Sequence, residues 1–219
     1  MLIENIIDLS TVTHNNMRLY KTPSGERLPS ITTILGQTME PEKQASLTRW
    51  QDSLGKAKAH AYTKKAADKG TNVHLLIERY LKKEDLQIKS FSIEDVNVFT
   101  ALKVKLNNIK AVAQEIALYS DELGVAGRCD CIGYYEGIPS IIDFKTSNKV
   151  KSDKDILDYK LQCTFYGIAC NELYGTDINQ GVILMSAQTG FPLVFKFELL
   201  PFKEELTKRI IQFYTEKLI

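Results

Sequence analysis

Apolar residues recur at intervals of three and four through residues 44–83, then switch from about residue 112 to alternation and short continuous runs. The first pattern is that of helices with one buried stripe, the second that of strands. Gly55 and Gly70 punctuate the first region and divide it into three predicted helices. The third, TNVHLLIERYLKK, turns Val73, Leu76, Ile77, Tyr80 and Leu81 inward and leaves His74 and Glu78 stacked one turn apart. Another helix is predicted over 93–110. Upstream, MRLYKTPSGERLPS reads as two short extended segments around a turn at Pro23, Ser24 and Gly25. Ser30 then stands where an N-cap would open a short helix through ITTIL.

Segments 112–119, 125–135 and 138–146 are rich in β-branched and aromatic residues, with Gly124 and the pair Glu136, Gly137 as turns. They predict a three-stranded antiparallel meander. A long helix over about 153–173, closed by Gly175, leads to strands near 180–187 and 191–199 and to a terminal helix over 202–218. The order is helices, three strands, helix, two strands, helix. That is an α/β or mixed α+β fold, a central mixed sheet with helices on both faces. No repeat, low-complexity stretch or linker interrupts the chain. Residues 1–219 are therefore read as one domain, with extended segments and helices over 1–110 and a sheet–helix core over 111–219.

The composition, 44% hydrophobic and 25% charged, excludes wholesale disorder. A net charge of +1 neither advertises a polyanionic partner nor excludes one, because a groove can be basic on a neutral protein. No apolar run has the length of a membrane span, so no membrane partner is expected. The start, MLIENIIDLS, has no positive n-region or long apolar core and is acidic and poor in arginine, so a cytoplasmic protein is expected. The four cysteines, at 129, 131, 163 and 170, lack a convincing zinc spacing and read as structural thiols; Cys129 and Cys131 would share one strand face opposite Asp130.

The stretch IIDFKTS carries the chemistry. Alternation sends Asp143 and Lys145 to one face and Ile142 and Phe144 to the other. Taken alone, this is either a solvated charge pair on an edge strand or a metal-binding carboxylate beside a catalytic lysine. Around it stand His74 on a helix, Glu115 near the start of a strand, Asp130 in GVAGRCDCIG, and Gln162 with Tyr166 one turn apart on the following helix. This ordered set resembles the RecB-type nucleases of the PD-(D/E)xK superfamily, in which a helical His precedes a GxxD strand, a D-[FY]-K-T strand and a QxxxY helix. The opening RLYKTPSGERLPSITTIL, the tryptophan-bearing helix and GTNVH are similar to the mitochondrial genome maintenance exonuclease family and its phage and bacterial relatives. The resemblance spans about residues 18–200.

What the resemblance implies is a restriction-endonuclease-like core and a DNA exonuclease using Mg2+ or Mn2+, preferring single-stranded ends, in a bacterial or phage-infected cell. Hydrolysing a phosphodiester needs charge stabilised on the phosphate and water delivered in line, which hard divalent cations with oxygen ligands do well. Asp130 and Asp143, on adjacent strands, are placed to share such an ion, with the Phe144 carbonyl as a further implied ligand. Lys145 would meet the attacking water or the phosphate, and His74 would complete the metal site or its outer shell. Glu115 matches the family's strand glutamate, although Glu122 competes for that place, and Glu78 could join His74 or simply pair with Lys82. Gln162 could offer its amide to a phosphate or to Lys145, Tyr166 its ring or hydroxyl to nucleic acid, and Lys149, Lys151 and Lys154 their charges to the DNA backbone.

Bland alternatives stand beside each: an interior histidine, an Asp130–Arg128 pair, a surface Gln–Tyr pair, a solvated lysine run. Two departures matter. Cys129 replaces the proline of the literal PD, and with no cysteine before 129 an iron–sulfur cluster is not expected. The competing functions are a structure-specific or double-strand-end nuclease, and a non-catalytic DNA-binding subunit of a repair complex. The intact Asp130, Asp143 and Lys145 argue against the last.

Overall fold

Three short strands open the chain: β1 (Thr11–His14), β2 (Met17–Lys21) and β3 (Arg27–Pro29) form an antiparallel sheet in that order. The computed structural model describes residues 1, 3–15, 17–187 and 191–217. The turn between β2 and β3 closes through Thr22, whose N–H donates to the Glu26 carbonyl at 2.9 Å, with Gly25 at φ 94°. Ser30 caps α1 (Ile31–Gln37) as expected, its hydroxyl accepting from the Thr33 N–H at 3.1 Å.

Two helices follow, α2 (Pro41–Leu54) and α3 (Lys56–Lys82). Proline takes the first position of α2, earlier than the periodicity suggested, where its missing N–H costs nothing. Gly55, at φ 78°, makes the break the sequence predicted. Gly70 does not, and α3 runs unbroken through it. One interior glycine costs a helix only about 1 kcal/mol, and the packing beyond it outweighs that. Gly70 lies beside Thr146, whose hydroxyl would sit 4.0 Å from a Cβ at that position. α4 (Ile93–Leu106) stops before residue 110 because Ile109 already pairs with Tyr135.

The main sheet comprises β4 (Ile109–Ser120), β5 (Val125–Tyr135), β6 (Ile138–Ser147), β7 (Gln180–Ala187) and β8 (Pro192–Glu198), in that spatial order. β4, β5 and β6 are the predicted meander. β6 and β7 are parallel, joined through α5 (Leu157–Tyr174), and β7 and β8 are antiparallel, so the sheet is mixed. α6 (Lys203–Lys217) follows; residue 218 of the predicted terminal helix lies outside the described residues.

Helices cover both faces. Val73, Leu76 and Ile77 of α3 pack with Phe99, Leu102 and Leu106 of α4 against Cys131, Ile142, Phe144, Val182 and Leu184. On the other face α1, α5 and α6 pack against Ile116, Leu118, Cys129, Ile132, Ile141 and Ile183. Cys129 and Cys131 thus belong to opposite faces, contrary to the alternation expected of them. The strand loses its regular period across Asp130.

Gly133 allows β5 to pass the irregularity in β4 between Ala111 and Ala113, where a Cβ would lie 2.5 Å from the Lys110 carbonyl oxygen. Because that obstacle is backbone, Gly133→Ala should cost about 1–3 kcal/mol in urea unfolding. Gly36→Ala in α1 meets nothing within 4 Å and should be neutral or stabilise by up to about 1 kcal/mol.

Candidate metal centre

β6 pairs with β5 only as far as Ile142 opposite Cys131, but stays paired with β7 as far as Ser147. The next positions in the β5–β6 register are Asp130 and Asp143, and there the ladder ends. Side chains take up the backbone groups this leaves. The Phe144 N–H donates to Asp130 Oδ2 at 2.9 Å, and the Phe144 carbonyl lies 2.8 Å from His74 Nε2 of α3. A carbonyl can only accept, so Nε2 carries the proton. In the neutral ring Nδ1 then keeps its lone pair, 3.7 Å from Asp130 Oδ2.

Glu115 approaches from β4. By register it stands opposite Asp130, yet the ladder skips that pair while keeping Gln114 with Cys131 and Ile116 with Cys129. Its backbone is left-handed, at φ 52°, which costs a residue other than glycine about 1–3 kcal/mol. The Glu115 carbonyl accepts from Arg128 Nη1, and the other arm of that guanidinium donates to Asp8 Oδ1 at 2.9 Å. His74, Glu115 and Asp130 each bring a ligand atom within 4.8 Å of the others. One imidazole nitrogen and two carboxylates suit a divalent cation. An open groove of about 500 Å³, lined by Gly70, Thr71, His74, Leu75, Glu78 and Glu115, adjoins them.

Asp143 lies inside, 1% exposed. Its Oδ1 accepts from Lys145 Nζ at 2.5 Å; its Oδ2 has no hydrogen-bond partner among the described residues. A solvated pair on an edge strand is therefore not what the structure contains, for β6 lies between two neighbours and the carboxylate is buried. Burial pushes the Asp143 carboxyl up to about 6 against the pull of Lys145, with the Asp130 charge adding to the rise. Burial works the other way on Lys145, but the charges of Asp143 and Asp130 outweigh it and hold the ammonium protonated. Glu115 is raised by burial first and by Asp130 second. Glu115 and Asp130 crowd one place with His74, while Asp143 lies outside that group and its buried Oδ2 faces no donor; both features are what a bound cation would relieve.

The remaining expectations divide. Glu122 lies exposed in the turn after β4, away from the cluster, so Glu115 is the strand glutamate that reaches it. Glu78 accepts from Lys82 at 2.5 Å, the simple pairing foreseen for it. Asp130 does not pair with Arg128, whose targets are a backbone carbonyl and Asp8. Gln162 and Tyr166 are buried, 8% and 2% exposed, with the Gln162 amide donating to the Tyr166 hydroxyl at 3.2 Å, so they do not form a surface pair. α5 is buried from Lys160 to Gly167 between the sheet and α1 and α6, so the polar residues of that stretch are enclosed, and the Tyr166 ring packs at Gly127. Lys149 is exposed and Lys151 half-buried, in the segment after β6. In that same segment Asn148 donates to the Tyr62 hydroxyl of α3 at 3.0 Å, a contact no sequence pattern signalled.

No family model matches the chain. It is similar to mitochondrial genome maintenance exonuclease 1 of Mus musculus, 30% identical over 173 residues that make up 75% of this chain and 51% of that protein. The Xenopus tropicalis protein of the same name is 31% identical over 173 residues, 75% and 50% of the two chains. The Homo sapiens protein is 28% identical over 174 residues, 75% and 51%. The chain spans about half the length of these curated relatives. Among solved structures, the crystal structure of SSO0001 aligns with 65% of this chain and 73% of its own at 16% identity and a TM-score of 0.35, too slight a likeness to bear on the fold. Among the described residues no helix is long and apolar enough to cross a membrane.

Asp143 gives the metal-free protein a pH signature. A carboxyl raised from 3.8 to about 6 binds more protons folded than unfolded between those values, so its contribution to stability falls as pH rises through that window. Asp143→Asn removes this titration. In EDTA, thermal melts should show the variant gaining on wild type between about pH 4 and pH 6 and holding that difference above it.

Proposed function

We propose that this chain is a divalent-metal-dependent DNA exonuclease of the RecB-type PD-(D/E)xK class, acting on single-stranded ends in replication, repair or recombination. Its similarity to proteins named as genome maintenance exonucleases supports a nuclease. The observation that carries the rest is Asp143. This buried carboxylate has one oxygen tied to Lys145 and the other unpartnered, where β6 parts from β5 beside the His74, Glu115 and Asp130 cluster.

His74 through Nδ1, with the carboxylates of Glu115, Asp130 and Asp143, would hold Mg2+ or Mn2+, and the Phe144 carbonyl keeps a second lone pair beyond its bond to His74. Such an ion, when bound, polarises a phosphoryl oxygen and makes hydroxide available near neutral pH. The ring N–H of His74, anchored on a backbone carbonyl, holds the tautomer and the orientation that keep Nδ1 available. Lys145 shares the face of Asp143, 5.2 Å over the Tyr159 ring. Its ammonium stays charged between carboxylates, which favours touching a phosphate oxygen or orienting the water over removing a proton.

The hairpin of α2 with the first half of α3 supplies a wall for the substrate. Residues 41–69 hold seven lysines and arginines against three acidic residues, a net +4 on a chain of net +1. α2 buries no residue, and Trp50 meets Tyr62 edge to face at 5.8 Å. Basic side chains around an exposed ring, Tyr62, and a half-buried one, Trp50, suit a single strand, phosphates to the charges and bases to the rings. Lys149 and Lys151 extend the basic surface beyond β6, while Gln162 and Tyr166 act as packing beneath the site. Four buried free thiols suit the reducing cytosol.

Asp143→Asn should lower metal-dependent cleavage of end-labelled DNA by about a hundredfold or more while DNA binding persists or tightens, since a negative charge near phosphate has gone. Lys145→Ala should abolish turnover with metal affinity largely kept, and calcium should support binding with little cleavage. Full activity in purified Asp143→Asn protein would refute the assignment.

Linear single strands should be degraded and closed circles spared, if the hairpin admits only a free end. Product ladders from labelled linear and circular DNA read this directly, and comparable cutting of circles would favour the structure-specific alternative.

A further inference from the structure

Six described residues other than glycine have positive φ, and five of them lie in turns, bends or helix ends. The sixth is Glu115, inside β4. A strained residue within a strand relaxes unless something holds it. Its carbonyl is held by Arg128 Nη1, from two positions before Asp130 on the neighbouring strand, and Arg128 is itself steadied by Asp8. At this same place the Glu115–Asp130 pair drops out of the ladder, and Cys129 and Cys131 turn to opposite faces. The irregularity and the ligand cluster coincide.

We propose that Arg128 is a positioning residue for the metal centre: by gripping the Glu115 carbonyl it fixes the left-handed backbone there and so aims the Glu115 carboxylate at the place shared with His74 and Asp130. The assignment rests on the metal-dependent reading above. It carries a sign that separates it from plain electrostatics. Removing a nearby positive charge should, by charge alone, tighten the binding of a cation. Removing the grip on Glu115 should loosen it.

The test is Mn2+ binding to the intact protein without DNA, by calorimetry, alongside circular dichroism for the fold. Arg128→Ala should weaken Mn2+ binding by about tenfold or more. Arg128→Lys, which keeps the charge but not the two-armed grip, should fall between that and wild type. In a Glu115→Ala background, adding Arg128→Ala should weaken binding no further, because the group it positions has gone. Arg128→Ala protein that binds Mn2+ as tightly as wild type, or more tightly, overturns the proposal; so does an equal loss in the Glu115→Ala background. If Arg128→Ala does not fold, Arg128→Lys carries the test, and wild-type affinity in that variant overturns it. Wild-type protein that binds no Mn2+ sinks the metal-dependent reading and this one together. Wild-type protein that binds Mn2+ and degrades DNA, with Arg128→Ala unaltered, sinks this one alone.

Discussion

A strand that leaves its neighbour inside a protein must find other partners for the backbone groups it exposes, since each buried group left unpaired costs about 1–3 kcal/mol. β6 leaves β5 after Ile142 while keeping β7, and Phe144 is where that cost falls. Its N–H takes Asp130 and its carbonyl takes His74. Two of the three clustered ligand candidates are therefore also the fold's answer to a broken ladder. The gap beside the cluster and the bonds that stabilise it are made by the same side chains. This explains how a partly buried aspartate and a partly buried histidine come to lie beside each other.

Electrostatics pulls against this arrangement. Glu115, Asp130 and Asp143 gather with a single ammonium, that of Lys145, in direct contact with one of them. Burial, and after it the charge of Asp130, raises both Glu115 and Asp143. Without a cation Glu115 and Asp143 take up protons at a higher pH than free carboxylates do, and a cation bound there would compete with those protons for the same oxygens. The cluster costs the metal-free fold stability, the kind of cost charged groups carry when they are gathered out of water.

Much of this was legible in the sequence because period carries over directly into structure. The meander, the helix after it and the shared face of Asp143 and Lys145 follow from alternation and from three-to-four spacing. Three features did not follow. Gly70 reads as a break because its propensity is poor, yet packing of Val73, Leu76 and Ile77 just beyond it prevails. Gln162 and Tyr166 read as an outward pair because periodicity marks where a helix is apolar, not how many neighbours enclose it; α5 is enclosed on several sides. The backbone at Glu115 was hidden altogether. Glutamate has no tendency toward the left-handed region, and its holder, Arg128, looks in sequence like a partner for Asp130. A local rule is overridden at that point by a contact from the next strand, and the exception lies at the candidate site.

α3 is one rod of 27 residues, about 40 Å long, with two mechanical halves. Beyond Gly70 it is bolted to the core by Val73, Leu76 and Ile77, which hold His74 in place. Before Gly70 it buries only Ala59, and with α2 it is moored by polar ties: Lys43 to Asp158, Lys65 and Lys69 to Glu94, and Asn148 to Tyr62. The free arm can therefore yield by exchanging ion pairs for water while the anchored end stays still. Ionic strength then acts as a lever on the molecule, loosening the arm by screening the ion pairs that moor it.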